Sequence, residues 1–205
     1  MWGYTMMNVT QRQIVLIVAW IMIATGAVLL FGPRSWFPEF YAPKFMGIGA
    51  IAFAVIIILP PKIFRARTHE ELRAVQYLQA ALLICLSMSG LGELGLWQLY
   101  RVGFEYDKLV HFLAPLILTL ASVYFFYWWY KKTFVRAVLI AAVGVFLLGA
   151  AWEGIEFYSD KLFGTQLFGV YGQQLSKDTI LDLIYNAAGV AAGILVLYKG
   201  KERWF

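Results

Sequence analysis

The sequence predicts an all-α fold, a polytopic membrane helical bundle of about six transmembrane helices. Of its 205 residues, 61% are hydrophobic and 14% are charged, whereas a soluble domain averages about 45–50% apolar and 25% charged residues. A soluble domain of this length buries about 70% of its surface, so part of the apolar excess would face water. We therefore expect lipid to surround much of the chain.

Six apolar stretches approach or exceed the roughly 20 residues that a helix needs to cross a bilayer core. They cover residues 13–31, 44–60, 75–99, 107–129, 134–158 and 178–198. The first stays apolar through Phe31, which favours an uncleaved helix over a signal peptide. The second is the shortest and is bounded by prolines. Because the connecting segments are short, we expect residues 1–205 to form a single integral membrane domain.

The distribution of basic residues predicts the orientation. Eleven of the seventeen Lys and Arg residues fall on one side of the predicted spans: Arg12, Lys62, Arg65, Arg67, Arg73, Lys131, Lys132, Arg136, Lys199, Lys201 and Arg203. The positive-inside rule places that side, and both termini, in the cytoplasm. The net charge of +5 then reflects topology and anionic membrane lipids, and we expect no nucleic-acid partner.

The acidic residues have the opposite distribution. Nine of the twelve fall at or near the outer ends of the predicted helices: Glu39, Glu93, Glu105, Asp107, Glu153, Glu156, Asp160, Asp178 and Asp182. Acidic residues contribute little to membrane topology, so this asymmetry needs a different cause.

Helical spacing brings these acidic residues onto common faces. On the sixth predicted helix, Asp178, Asp182 and Asn186 recur every four residues, and Gly189 and Gly193 continue the same stripe. Small residues allow helices to approach closely, so this stripe should face protein rather than lipid.

Three other helices carry polar residues near the same end. They are Gly149, Glu153, Glu156 and Asp160 on the fifth, Asp107 and His111 on the fourth, and Ser89 and Glu93 on the third. An intramembrane charge costs at least about 2.5–3.5 kcal/mol on insertion scales. We therefore expect these groups to face one another in a cavity open to the outer side.

Such a carboxylate cluster needs neutralisation. Basic partners are available in Lys108, Arg101 and Lys177; shared protons are a second solution and a metal ion is a third. One imidazole with carboxylate oxygens suits Zn²⁺, Mn²⁺ or Fe²⁺, and an all-oxygen set suits Mg²⁺ or Ca²⁺. The single cysteine, Cys85, excludes cysteine-rich metal sites.

The leading functional hypothesis is a metal-dependent enzyme that acts on envelope lipid or lipid-linked phosphate. Its predicted catalytic residues are Asp107, His111, Glu153, Glu156 and Asp182. Its predicted metal ligands are His111, Glu153, Glu156, Asp178 and Asp182. Its predicted substrate-binding residues are Lys108, Arg101, Asn186 and Glu93. Asp107 would fix the tautomer of His111. Membrane lipids are the expected partners, and the oligomeric state stays open.

Two other classes of function remain open. Intramembrane carboxylates also mark proton or cation transporters, although helices five and six become apolar below Gly149 and Asn186. A purely structural or partner-binding membrane protein could use the same residues as an ion-pair network that holds the helices together. The glycine-containing loop 159–177 could fold over the cavity as a lid or serve as a plain connector.

Three short motifs resemble those of known membrane proteins. Asp107, Lys108, His111 and Phe112 match the Asp-Lys-x-x-His-Phe signature of VanZ-like proteins, and Asp182, Asn186 and Gly189 match their Asp-x-x-x-Asn-x-x-Gly signature. VanZ-like chains carry Glu-x-x-Gln between these motifs, whereas this chain has Glu153 and Glu156. With six predicted spans, the chain looks closer to the related YjdF-like inner-membrane proteins. The resemblance implies a bacterial or archaeal cell membrane, and the association of VanZ-like proteins with glycopeptide resistance implies envelope lipids or their precursors.

Overall fold

Seven α-helices account for most of the chain in the computed structural model, which describes residues 9–38, 40, 42–164 and 175–204. They are α1 (Val9–Phe31), α2 (Pro43–Ile58), α3 (Pro60–Ile63), α4 (His69–Glu93), α5 (Tyr106–Trp128), α6 (Phe134–Phe163) and α7 (Leu175–Trp204). Two short 3-10 helices, Arg34–Trp36 and Leu96–Val102, lie in the connections. The described residues form no strand, so the predicted all-α class is confirmed.

Five of these helices are long and apolar enough to cross a membrane: α1, α4, α5, α6 and α7. The remaining apolar helix, α2, has 16 residues, or about 24 Å of axis, and is shorter than a usual span. Large apolar side chains such as Ile17 and Leu147 are more than half exposed on the outside of the bundle. Such a surface is stable when lipid covers it, and the fold is therefore that of a polytopic helical membrane bundle.

Several helices begin or end away from the boundaries of the predicted spans. The third span was predicted over 75–99, but α4 ends at Glu93, because Gly95 adopts a positive φ of 131° that is incompatible with a helix. The chain then folds back, and the Trp97 ring covers Gly92. The fifth and sixth predicted spans are longer than expected, since α6 runs to Phe163 and α7 begins at Leu175. Residues 159–163 and 175–177 of the predicted 159–177 loop are therefore helical, and its residues 165–174, on which the proposed lid would depend, lie outside the described residues.

The start of α4 follows the local rule for helix capping. Thr68 Oγ1 accepts a hydrogen bond from the backbone N–H of Glu71 at 3.2 Å, and Glu71 Oε2 accepts from the backbone N–H of Arg67 at 2.8 Å. The bond to Thr68 satisfies a donor that the first helical turn leaves unpaired, and the bond from Arg67 ties the Glu71 side chain to the residue before the cap. The capping bonds therefore fix where α4 begins, and the length of the helix places Glu93 at its other end.

The central helix is α5, which packs against α4, α6 and α7. Its closest neighbour is α7: a Cβ on Gly189 would collide with the carbonyl oxygen of Phe112, and Gly193 lies against Leu116 and Thr119. The glycine stripe of α7 therefore faces protein, as predicted from its spacing. This close approach allows short side chains one or two turns away to bridge the two helices.

The helical pair α1–α2 forms a separate layer. It packs against α4 and reaches α6 through two aromatic contacts, Phe45 with Phe163 and Phe53 with Trp152. The Gln79 side chain, on α4, is buried and donates to the Ile57 carbonyl at 2.9 Å. Between this layer and α4 and α6 lies a cavity of about 450 Å³.

Candidate functional site

Charged side chains from α5 and α7 meet near one end of the bundle. The Lys108 ammonium on α5 lies 2.6 Å from Asp178 Oδ1, 2.6 Å from Asp182 Oδ1 and 3.0 Å from Asp107 Oδ2. The two aspartates of α7 are one turn apart, so both point toward the same ammonium group. Of the three basic partners considered from the sequence, Lys108 is the one that makes these contacts.

The imidazole of His111 lies beside this lysine site, one turn along α5. Its Nε2 atom is 3.4 Å from Asp107 Oδ1 and 3.6 Å from Glu153 Oε1. A third carboxylate atom, Asp182 Oδ1, is 3.9 Å away. Three acceptor groups from three helices thus surround one ring nitrogen, at separations longer than an ordinary hydrogen bond.

The other ring nitrogen of His111 identifies its orienting partner. Nδ1 lies 3.3 Å from Asn186 Oδ1, an amide oxygen that accepts when Nδ1 carries the proton. Asn186 is 2% exposed, and its amide group lies against Gly149 of α6. Asn186 therefore takes the orienting role that the sequence analysis gave to Asp107, whose carboxylate faces Nε2 instead.

With its proton on Nδ1, a neutral His111 presents the Nε2 lone pair to oxygen atoms that are themselves acceptors. Glu153 Oε1 is fully buried and has no hydrogen-bond donor among the described residues. Acceptors facing acceptors in a buried site repel one another unless a cation lies between them. The geometry therefore calls for a proton or a metal ion at Nε2.

Exposure falls steeply from the end of the bundle inward. The side chains of Asp107 and Asp178 are 36% and 21% exposed, whereas that of Asp182 is 5% exposed and those of His111 and Glu153 are similarly buried. The site is therefore reached from the end of the bundle where α5 and α7 begin.

A set of three residues has the spacing of metal ligands. One ligand atom from each of Asp107, His111 and Asp182 lies within 4.8 Å of the other two. Ligand atoms about 2.1 Å from a tetrahedral ion lie about 3.4 Å apart. The 3.4 Å and 3.6 Å separations of His111 Nε2 from Asp107 and Glu153 are close to this value.

Several predicted site residues occupy other positions. Asp178 contacts Lys108. Glu156 accepts a hydrogen bond from Trp152 Nε1 at 2.6 Å and lines the cavity beside α1 and α2, where Glu93 also lies. Arg101 is exposed on the second 3-10 helix, where its guanidinium donates to Gln98 Oε1 at 3.2 Å and to Tyr100 at 3.4 Å. The acidic residues predicted to share one cavity thus divide between two sites.

Two tryptophans have contacts that the sequence analysis missed. Trp152 Nε1 donates to the Glu156 carboxylate, and Trp97 Nε1 donates to Glu93 Oε1 at 3.3 Å. In both pairs the tryptophan and the glutamate are four residues apart in sequence. For Trp152 and Glu156, which both lie on α6, that spacing is the available signal, since residues four apart are neighbours on a helix.

The fold and its apolar surface define a multi-pass helical membrane protein. The family model described as "Predicted membrane protein (DUF2238)" matches residues 14–203, and the chain belongs to this family. No curated protein and no solved structure matches the chain. The family match agrees with the membrane class, and the resemblance to YjdF-like and VanZ-like proteins stays a prediction.

Proposed function

We propose that the cluster around His111 binds a divalent metal ion and that the protein is a metal-dependent membrane enzyme. The observation that carries the proposal is the Nε2 atom of His111, which faces the carboxylates of Asp107, Glu153 and Asp182 at 3.4–3.9 Å. A metal ion at this position would replace three acceptor–acceptor contacts by coordination. One imidazole with carboxylates is a donor set that suits Zn²⁺ or Mn²⁺, whereas Mg²⁺ would bind mainly the carboxylates.

The reaction class that fits this site is hydrolysis or transfer at a phosphate of a membrane lipid or lipid-linked precursor. The metal would polarise the phosphate or a water molecule. Glu153, which would hold the metal through Oε1, is the proposed general base through its other carboxylate oxygen. Lys108 is already bound to three aspartates, so its proposed role is to hold those carboxylates in place rather than to bind the headgroup.

A bacterial or archaeal cell membrane is the proposed location. This rests on the resemblance of the Asp107–Phe112 and Asp182–Gly189 motifs to those of YjdF-like and VanZ-like proteins. The positive-inside rule then puts the cluster near the outer leaflet, because the basic ends of α3, α4 and α7 lie at the opposite end of the bundle.

A second candidate function is favoured by a different contact. Lys108 bridges α5 and α7 through bonds as short as 2.6 Å, as expected for an ion-pair network that serves packing alone. In that case His111 carries a second proton, and that proton is the cation at Nε2. The two candidates differ in whether the purified protein contains metal.

The deciding experiment is elemental analysis of the purified protein beside His111→Ala and Glu153→Gln, with melting temperatures in detergent. The proposal predicts near-stoichiometric metal in the wild type and its loss in both variants. Added metal at about 100 times its dissociation constant should stabilise the wild type by about 2.7 kcal/mol, or roughly 5–11 °C.

Lys44→Met is a matched control, since Lys44 is exposed at the start of α2. It should keep the metal and the thermal shift. A folded wild-type protein without metal, whose melting temperature no divalent ion changes, would rule out the metal site and leave the ion-pair network.

A further inference from the structure

The cavity between α1, α2, α4 and α6 is a second site, separate from the His111 cluster. Its volume of about 450 Å³ falls within the range of small-molecule sites. The walls are predominantly apolar and include Phe45 and Phe53 of α2. Along α1 the lining residues run from Val18 to Leu29, which is about 16 Å of helix axis. The cavity therefore extends along the axis of α1.

Two carboxylates give this apolar cavity a polar end. Glu93 is the last residue of α4, and Glu156 lies on the last third of α6. Each uses Oε1 to accept from a tryptophan indole, and in the described part of the chain neither makes an ion pair with a basic side chain. Oε2 of each carboxylate has no hydrogen bond to those residues. Acidic groups in an apolar cavity need a donor, a cation or a proton of their own, and a cationic ligand would supply both charge and donors.

We propose that this cavity binds one single-chain amphiphile with a positively charged amine headgroup. The amine would lie against Glu93 and Glu156, and the chain would follow the apolar wall toward Val18. Because Glu93 is at the end of α4, the polar end of the cavity is also at an end of the bundle. This is the orientation that an amphiphile has in a bilayer, with its headgroup at the surface and its chain in the core.

Headgroup selectivity tests the charge part of the proposal. The protein in nanodiscs is titrated with dibromostearylamine, dibromostearyl alcohol or dibromostearic acid, and quenching of tryptophan fluorescence is followed. Trp152, whose indole binds Glu156, lines the cavity. The amine should quench with saturation and be displaced by unbrominated stearylamine, whereas the alcohol and acid should give only the unsaturable quenching of lipid partitioning.

Two kinds of variant test the location. The pair Glu93→Gln with Glu156→Gln should weaken amine binding by about tenfold or more, as expected for losing charge-assisted hydrogen bonds. Gly49→Leu and Gly90→Leu each place a side chain in the cavity, where a Cβ on either glycine meets no atom within 4 Å. Each should abolish saturable quenching.

Gly144→Leu is the matched control, because Gly144 also has open space around its Cβ but lies on an exposed face of α6 outside the cavity. It should bind the amine like the wild type. Equal behaviour of the three headgroups would overturn the proposal, and so would unchanged binding in a folded Gly49→Leu or Gly90→Leu protein. Metal content is measured on the same samples, so a failure here is distinguishable from a failure of the metal site.

Discussion

Replacing Lys108 by Met should destabilise the protein more than replacing any exposed lysine. The ammonium holds Asp107, Asp178 and Asp182 at 2.6–3.0 Å, and the lysine side chain is 11% exposed. Methionine keeps the approximate length and apolar character of the stem and removes only the charge and its donors. The variant would leave three carboxylates close together without their shared counter-charge.

The expected magnitude follows from the burial of the pair. Removing one partner of a buried ion pair costs about 3–5 kcal/mol, because the remaining charge is uncompensated. For a chain of this length that corresponds to a fall in melting temperature of roughly 6–20 °C. Thermal unfolding in detergent, followed by intrinsic tryptophan fluorescence, measures it, with Lys44→Met as the exposed control.

A double-mutant cycle isolates the pair itself. Asp182→Asn in the Lys108→Met background removes one of the charges that the first change leaves unpaired. The double variant should therefore be more stable than the sum of the single losses predicts, by about 0.5–3 kcal/mol. If Lys108→Met melts at the same temperature as Lys44→Met, or if the two losses are strictly additive, the lysine does not hold the cluster together.

Three single substitutions, each followed by melting temperature, test the helix contacts and the helix cap that position the site. Gly189→Ala should destabilise the protein by about 1–3 kcal/mol, because the added Cβ collides with the Phe112 carbonyl. The control Gly144→Ala should leave the stability unchanged. Equal effects of the two changes would contradict the close α5–α7 contact. Thr68→Ala should cost about 1 kcal/mol through loss of the α4 cap, and no loss would mean that the cap contributes nothing. Tyr106→Phe removes a 3.0 Å hydrogen bond to a carbonyl of α4 and should cost about 0.5–1.5 kcal/mol, a value that an unchanged melting temperature would refute.

The α7 half of the cluster could be predicted because it depends on one helical period. Asp178, Asp182 and Asn186 are four residues apart, and Gly189 continues their stripe, so any helix brings them to the same face. The tight glycine contact then decides that this face meets α5. The identity of the counter-charge could not be predicted, since Lys108, Arg101 and Lys177 are all near in sequence.

The division of the acidic residues between two sites could not be predicted from spacing. Glu156 is three residues after Glu153, so it is rotated by about 60° around the axis of α6. That rotation is small enough to look like one stripe in the sequence, yet it turns Glu156 toward the α1–α2 layer. Glu93 has a different reason: the fold-back after Gly95 places Trp97 against it, and that turn has no periodic signal.

The distances within the cluster separate a structural half from a binding half. On the α5–α7 side, Lys108 contacts its aspartates at 2.6–3.0 Å, close to ideal for charged hydrogen bonds. On the α6 side, His111 Nε2 and Glu153 are 3.6 Å apart and Glu153 Oε1 has no donor. A cation that binds between His111 Nε2 and Glu153 would draw the Glu153 carboxylate toward α5 and α7, which the Lys108 contacts already hold together. Substitution at Lys108 should therefore lower stability with or without metal, whereas Glu153→Gln should keep the stability of the metal-free protein and lose the response to metal.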